Sequence, residues 1–587
     1  MSRQTSSPLA DILCLAVMLV FVLGLAALGV RMWYVQVEYA AEFGRSGERQ
    51  SVRRLRTVGP RGRILDRRGR VLADNRRSAS IVCETGVWSR RTRSATVAAI
   101  LGAVTNAAAA TGLAVPFGEN AVRRHLEGSA SLPLVVWENV DDAALARFCE
   151  HLVELPGFEV AEGVERTYPC GRLAAHVLGF VGRDRRRDDA AGGIYDFREA
   201  EPVGRSGLER YYDGFLRGIP GEDELVVTAQ CFTRSRRTVV AADCGSDLHL
   251  TLDVDIQRAA EATLAGECGA CAVIDPRDGS VLALASAPTF EPSRCIPHLP
   301  VAYYAFMNEP PLKPGMNRAI AESYAPGSTF KPITALAALA VGWPADRTYE
   351  CTGAFHLGSM HLGCSRRWGH GPLDLRGALR YSCNPFFCEL GCDVGTNALC
   401  SAARVFGLGA VTGIDLPGET AGIVPSAGYK AAMYRERWFP GDVAQMSIGQ
   451  GLLLVTPLQM ACVAGAIGTG AVVRPHLKAD MPTRRRQLPF SAEALAVVRD
   501  GMFQVVNAPD GTGRLAGGEL PVRICGKTGT AEVGPREARR KNTWFIAYGP
   551  AEAPRVAVAM VVENGVSGGG TTAPKVNSVL REAFRAL

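Results

Sequence analysis

Ser328 stands three residues before Lys331, in the run Pro326-Gly327-Ser328-Thr329-Phe330-Lys331. A hydroxyl becomes a nucleophile when a neighbouring base takes its proton. A lysine amine can be that base once its pKa falls from about 10.4 towards 7, which burial and a helix N-terminus favour. Pro332 fits only the opening turn of a helix, and the mostly apolar run Ile333 to Val341 follows it. Ser328 is therefore expected at or near a helix start, with its Oγ and the Lys331 amine on one face at i and i+3. Alone, a Ser-x-x-Lys pattern reads equally as part of a solvated helix.

Two further constellations follow. Ser382-Cys383-Asn384 has Tyr381 before it and Pro385-Phe386-Phe387 after it. Lys527-Thr528-Gly529-Thr530-Ala531 follows the short apolar run Val522 to Cys525. A strand with that sequence can lay its edge beside an extended ligand, because Gly529 removes a side chain where backbones approach. Lys527 and the hydroxyls of Thr528 and Thr530 would then face a carboxylate. Each triplet alone reads as a surface turn. The three occur in this order, 54 and 145 residues apart between first residues.

The surrounding elements must hold these groups together. The chain has 587 residues, 47 % hydrophobic and 21 % charged, which suits more than one packed domain and excludes a largely disordered chain. The net charge of +7 is small for this length, and no long basic block occurs, so a nucleic-acid partner has no electrostatic support. Only seven of the 65 basic residues are lysines. Lysine retained in so arginine-rich a chain suggests a need for an amine that can lose its proton.

Ile12 to Val30 is a run of 19 residues without charge, about 28 Å as a helix and close to the hydrocarbon thickness of a bilayer. Trp33 and Tyr34 follow as interfacial anchors. A cleaved signal peptide would have a shorter apolar stretch and a small-residue cleavage site. One uncleaved crossing is expected, with no second such run. The count of Arg3 against Arg31, Arg45 and Arg49 does not favour an outward C-terminus, and the orientation is left to the motifs.

Arg53 to Asn75 reads as short paired strands with tight turns, and helical patterns occupy 96–112 and 141–154. Arg183 to Asp189 reads as a polar loop. From about residue 246 a strand and helix lead into a hairpin ending at Phe290. Strand-like runs return near Trp544 to Pro550 and Arg555 to Gly565, before a last helix to Leu587. Strands at both ends with helices between them suggest an α/β domain whose sheet joins distant parts of the chain.

The ordered set Ser-x-x-Lys, Ser-x-Asn and Lys-Thr-Gly resembles the signature of active-serine penicillin-recognising enzymes, the β-lactamases and penicillin-binding proteins. Segments outside it resemble class B penicillin-binding proteins: Arg61 to Ala73, Tyr168 to Gly182, Gly207 to Gly221, Asn317 to Ile320, Ser447 to Ala461 and Trp544 to Pro550. The resemblance covers nearly the whole chain after the anchor. It implies an α/β (α+β) transpeptidase fold, an antiparallel sheet flanked by helices, with an elongated, mainly β N-terminal pedestal and one transmembrane helix. The expected boundaries are 1–11 for a cytoplasmic tail, 12–34 for the anchor, 35–245 for the pedestal and 246–587 for the transpeptidase domain. The catalytic domain is expected outside the cytoplasmic (inner) membrane.

The implied activity is D,D-transpeptidation of peptidoglycan stem peptides ending in D-Ala-D-Ala. Carried over by residue, Ser328 is the nucleophile and Lys331 its base. Ser382 and Asn384 complete a proton relay and bind substrate. Lys527, Thr528, Gly529 and Thr530 receive the terminal carboxylate, and the amides of Ser328 and Thr530 form an oxyanion hole. β-Lactams imitate the D-Ala-D-Ala end and stall as acyl-enzymes. No cofactor is needed for this chemistry. No glycosyltransferase signature is found, so a SEDS-family polymerase and other elongation-complex proteins are the expected partners.

Cys351, Cys364, His370 and Cys383 follow the spacing C-x12-C-x5-H-x12-C. Cys3His suits structural zinc, although these gaps are not those of a compact finger. Elongation-type members share the Trp-Gly-His-Gly motif, here Trp368 to Gly371, and carry zinc beside the active site. His370 and Cys383 match their ligands, and Cys351 and Cys364 would replace carboxylates. A Cys351–Cys364 disulfide or buried free thiols are the alternatives. Cys268 and Cys271, and Cys388 and Cys392, read as core residues. The leading reading is an elongation-type transpeptidase. A septal, division-type transpeptidase, a class D-like β-lactamase and a β-lactam sensor or scaffold are its rivals.

Overall fold

The computed structural model describes residues 8–40, 51–90, 92–128, 132–184, 196–198, 201–227, 233–534 and 540–587. Arg3, Arg45 and Arg49, and most of the polar patch at 185–189, lie outside the described residues. Helix α1 (Pro8–Val37) is exposed along its apolar length. Within its Asp11–Val37 span an 18-residue stretch has a mean hydropathy of 2.9, and the span is long and apolar enough to cross a membrane.

A second segment meets the same criteria of length and composition, contrary to the sequence expectation. It is the helix Arg93–Thr111. Its Val97, Ile100, Val104 and Ala107 are buried against Ile81, Trp137 and Phe158, so it is a core helix of the pedestal. An alanine-rich helix reaches membrane-like hydropathy while offering a face that a soluble core can take.

The long strand Val71–Cys83 is the pedestal's spine. It pairs antiparallel with Phe158–Thr167 over ten positions and with Leu134–Val140. Ile64–Leu65 pairs with the start of the same strand, as expected of neighbouring strands. Val52–Thr57 does not join them. It pairs with Gly221–Val227, setting Arg54 opposite Glu224 and Arg56 opposite Glu222. Opposite charges face each other across the two strands, and Leu55 is buried with Leu225 and Val227. Arg61 and Arg166 are buried with Glu209 and Asp213, at 2.6 to 2.9 Å, which ties three sequence segments into one ionic knot.

Downstream, α2 (Val254–Thr263) precedes the hairpin of β1 (Gly269–Ile274) and β2 (Val281–Ala287). Helices α3 (Lys331–Ala340), α4 (Asn384–Val394), α5 (Pro457–Thr469) and α6 (Ala492–Asn507) come next. Strands β3 (Cys525–Val533), β4 (Arg540–Gly549) and β5 (Val556–Val562) and helix α7 (Ala573–Ala586) complete the domain. The sheet order is β2-β1-β5-β4-β3, antiparallel throughout.

Both faces of this sheet are covered. Along β5, Val556, Val558, Met560 and Val562 pack with α2 and α7, while Ala557, Ala559 and Val561 pack with α3 and α5. Alternate side chains of a strand point to opposite faces, so a continuous apolar run is what a two-sided burial requires. β3 is left at an edge.

Candidate active site

Ser328 lies in a single 3₁₀ turn, Gly327–Phe330, that runs directly into α3. Pro332 sits in the first turn of α3, where a missing N–H costs nothing. The turn is held against the sheet: Trp544 Nε1 on β4 donates to Ala325 O at 3.0 Å. Tyr324 Oη donates to Glu563, just past β5, and Glu563 also pairs with the buried Arg318.

The second motif occupies the bend between the helix Leu375–Arg380 and α4. Ser382 has φ 55°, a left-handed conformation unfavourable for a side-chain-bearing residue. Lys331 secures it. Its amine donates to Ser382 O at 2.6 Å, to Asn384 Oδ1 at 2.7 Å and to Ser382 Oγ at 3.4 Å. From the sheet edge, Lys527 Nζ donates to Ser382 Oγ at 2.7 Å and to Thr528 O at 3.1 Å. Both amines are fully buried. Burial holds Lys331 down at about 8, with the nearby cysteines opposing it, and burial together with Lys331 pushes Lys527 well below the usual lysine range.

Ser328 is half-buried, and among the described residues its Oγ makes no hydrogen bond. The expected pairing of Ser328 Oγ with Lys331 is thus not formed in this state, because Lys331 is engaged by the second motif. Catalytic hydrogen bonds of free enzymes commonly tighten only when substrate is present.

On β3, Gly529 has no room for a side chain: a Cβ there would lie 2.8 Å from Thr329 Cγ2 and 2.9 Å from Trp544 Cβ. Thr528 Oγ1 lies 3.1 Å from Thr512 Oγ1, and Thr530 Oγ1 accepts from Gly568 N at 3.2 Å. Gln450 Nε2 reaches Thr530 O at 3.4 Å.

Gly449 and Gln450, within the Ser447 to Ala461 segment, carry no chemistry that the sequence alone assigns. Gly449 has φ 75°, and any side chain there would collide with the Gly327 carbonyl. Gly327 N donates to Gly449 O at 2.8 Å. The signal was a pair of glycines in an otherwise apolar stretch, which marks close backbone approach.

Cys351, Cys364, His370 and Cys383 converge next to this site, with all four ligand atoms within 4.8 Å of one another. Cys351 pairs across strands with Gly371, which brings His370 beside it, and Cys383 caps α4 from within the second motif. His370 Nδ1 lies 3.6 Å from Cys351 Sγ and 3.3 Å from Cys364 Sγ, and the Cys364 and Cys383 sulfurs are 4.0 Å apart. A tetrahedral zinc has edges of about 3.8 Å between sulfurs and about 3.6 Å from sulfur to nitrogen, from bond lengths of about 2.3 Å and 2.0–2.1 Å. The donor set and these separations fit such an ion, and 4.0 Å between the Cys364 and Cys383 sulfurs is too long for a disulfide between those two. The hydrogen bond between the Cys364 and Cys383 sulfurs lowers Cys364 and raises Cys383. Elsewhere, Cys271 and Cys388 are core residues, but Cys268 is half-buried and Cys392 is exposed, against expectation. A one-turn separation on α4 does not fix the same face at the helix end.

Residues 269–581 match the penicillin binding protein transpeptidase domain, and residues 56–250 match the penicillin-binding protein dimerisation domain. The peptidoglycan D,D-transpeptidase MrdA of Escherichia coli is 32 % identical over 479 residues, 76 % of this chain and 74 % of its own length. A solved complex of penicillin-binding protein 2 with MreC from Helicobacter pylori superposes with a TM-score of 0.78 at 25 % identity, covering 91 % of this chain and 99 % of that one. A chain from a peptidoglycan synthase complex, described as coordinating polymerization and crosslinking, gives 0.72 at 28 % identity, covering 97 % and 98 %. By domain content, overall fold and the ordered active-site motifs, the chain belongs to the penicillin-binding protein transpeptidase family.

Proposed function

We propose that this chain is an elongation-type peptidoglycan D,D-transpeptidase. The observation that carries the reading is the convergence of two buried lysines, Lys331 and Lys527, on Ser382 Oγ beside the Ser328 turn. In the proposed reaction, Lys331 as neutral amine takes the Ser328 proton while Oγ attacks the penultimate D-Ala carbonyl. The amides of Ser328 and Thr530 receive the oxyanion, worth about 3–4 kcal/mol per donor. The relay through Lys331, Ser382 and Asn384 returns a proton to the leaving amine, and D-Ala departs. An amine from a neighbouring stem peptide then attacks the ester, yields the cross-link and regenerates Ser328. Lys527, Thr528 and Thr530 hold the terminal carboxylate, with Gly529 opening the strand edge to the ligand.

We assign structural zinc to Cys351, Cys364, His370 and Cys383. These four side chains would hold the ion, which would tie Cys383 in place and with it the bend that presents Ser382 and Asn384; the acyl transfer itself uses no cofactor. The same cluster favours the elongation-type reading over the septal one. The domain boundaries 35–245 and 246–587 are retained, with α1 as a single-pass anchor in the cytoplasmic membrane and the catalytic domain outside it. A SEDS-family glycosyltransferase is the proposed membrane partner, in keeping with the similarity to a synthase complex.

The test is intact mass after benzylpenicillin addition, with Ser328→Ala as control. A stable adduct absent from the control is expected. Rapid adduct loss with released penicilloate would indicate a β-lactamase, and no adduct would indicate a scaffold.

A further inference from the structure

A cavity of about 280 Å³ opens on the transpeptidase domain between the end of the helix Thr396–Val405, α5 and the two-stranded ribbon Ala471–Val473 with Arg485–Gln487. Its volume lies near the lower bound of ligand pockets, about 300 Å³, and suits a small ligand. Four arginines line it: Arg474, Arg484, Arg485 and Arg486. The ribbon register explains the cluster. Val472 faces Arg486, Val473 faces Arg485, and Arg474 N donates to Arg484 O, so the run Arg484-Arg485-Arg486 is folded back onto Arg474.

Two of these guanidinium groups are anchored by backbone carbonyls. Arg474 Nε donates to Gly413 O at 2.7 Å and Arg486 Nη2 to Val405 O at 2.5 Å. Among the described residues, no carboxylate pairs with any of the four. In the adjoining loop the Glu419 carboxylate accepts from Thr412 N, Thr412 Oγ1 and Gly413 N at 2.6 to 3.0 Å. Arg474 is half-buried and Arg484, Arg485 and Arg486 are exposed at the rim; four like charges around one small concavity repel one another, and a guest anion relieves that repulsion. Planar guanidinium forks match phosphate oxygens in pairs. Phe406 and Val472 add an apolar wall.

We propose that this pocket binds a phosphate or pyrophosphate group, carried either by a soluble phosphoester or by an anionic lipid headgroup. No active-site residue lines it. Ligand binding there is a function separate from acyl transfer at Ser328.

The test uses the detergent-solubilised full chain and isothermal titration with sodium pyrophosphate, with short-chain phosphatidylglycerol and with short-chain phosphatidylcholine. The variant is Arg484→Ser with Arg485→Ser, which spares the two arginines that hold backbone. Sub-millimolar binding of pyrophosphate or phosphatidylglycerol is expected, weakening at least tenfold in the double variant and weakening as salt rises. Melting temperature and penicillin acylation of the variant should be unchanged, which separates the effect from misfolding. Tighter binding of phosphatidylglycerol than pyrophosphate assigns a lipid source, and the reverse order assigns a soluble one. Absence of saturable binding by either up to 10 mM, equal affinity in the double variant, or equal binding of phosphatidylcholine would overturn the proposal. So would binding of a hexaglutamate peptide without either phosphate ligand, because the pocket would then be a peptide site.

Discussion

Lys527 Nζ donates to Ser382 Oγ at 2.7 Å, linking the sheet edge to the bend before α4. Ser382 Oγ therefore lies between two buried amines, with Lys331 at 3.4 Å on its other side. Removing the hydroxyl leaves the two amines facing each other without an intermediary. Ser382→Ala is expected to slow acylation by a fluorescent penicillin about 10²–10³-fold, the range of a lost proton-transfer group. Melting temperature should change little. Stopped-flow acylation at constant pH decides it, and a change below threefold would remove Ser382 from the relay.

The pH profile of acylation follows from Lys331. Burial holds its amine at about 8, so the neutral form required of a base grows as pH rises through that value. Acylation is expected to climb from pH 6.5 to 9 and level above it. The stability sign is the same: between about 8 and the unfolded value near 10.4 the unfolded chain binds the extra proton, so stability rises with pH. A flat rate profile from pH 6.5 to 9 would exclude Lys331 as the base.

Elemental analysis of untagged protein is expected to give one zinc per chain. Cys364→Ser should lose it, lower the melting temperature and slow acylation, because the bend at Ser382 loses its clamp. Protein without zinc, and with two thiols missing from a denatured thiol titration, would point to a disulfide.

Gly449→Ala drives a methyl group into the Gly327 carbonyl and imposes a left-handed conformation on alanine. The turn carrying Ser328 must shift to accommodate it. Acylation is expected to fall at least tenfold with substrate affinity less affected, readable as separate rate and binding terms in acylation kinetics. Unchanged acylation would show that the turn relaxes without moving the serine.

His176 is buried at the junction of pedestal and transpeptidase domain, its Nε2 2.8 Å from Pro314 O. Burial lowers its pKa to about 4, below the unfolded value of about 6.5. As pH falls between these values the unfolded chain takes up the proton first, so stability is lost. At pH 4.5 the loss is about 2–3 kcal/mol from this group. Urea unfolding of wild type and His176→Gln at pH 7 and 4.5 isolates it: the variant should lose less on acidification. Parallel losses in both would assign acid sensitivity elsewhere.

Much of this arrangement is legible in the sequence because short motifs need only local order. Pro332 forces a helix start after Ser328, and the runs around β1, β2, β4 and β5 are apolar enough to be read as strands. What escapes is whatever depends on partners far along the chain. Nothing local in Val52–Thr57 names Gly221–Val227 as its neighbour. The helix Arg93–Thr111 has the composition of a membrane segment, and only its packing against Trp137 and Phe158 makes it a core element. Gly449 is one glycine among 64 until Gly327 is seen beside it. The cysteine cluster illustrates both limits. Residue types suggest zinc, but gaps of 12, 5 and 12 residues match no compact finger, and the strand pair Tyr349–Cys351 with Gly371–Leu373 is what closes them.

The order of strands in the central sheet has a consequence for biosynthesis. β1 and β2 are made early, yet β1 has its second neighbour in β5, which ends at Val562. At about 5–20 residues per second, that neighbour emerges roughly 15–60 s after the hairpin. Until then one edge of β1 stays open, and Ser382 has no Lys527 opposite it. Newly made chains should thus pass through a window in which they expose an unpaired strand and are blind to penicillin.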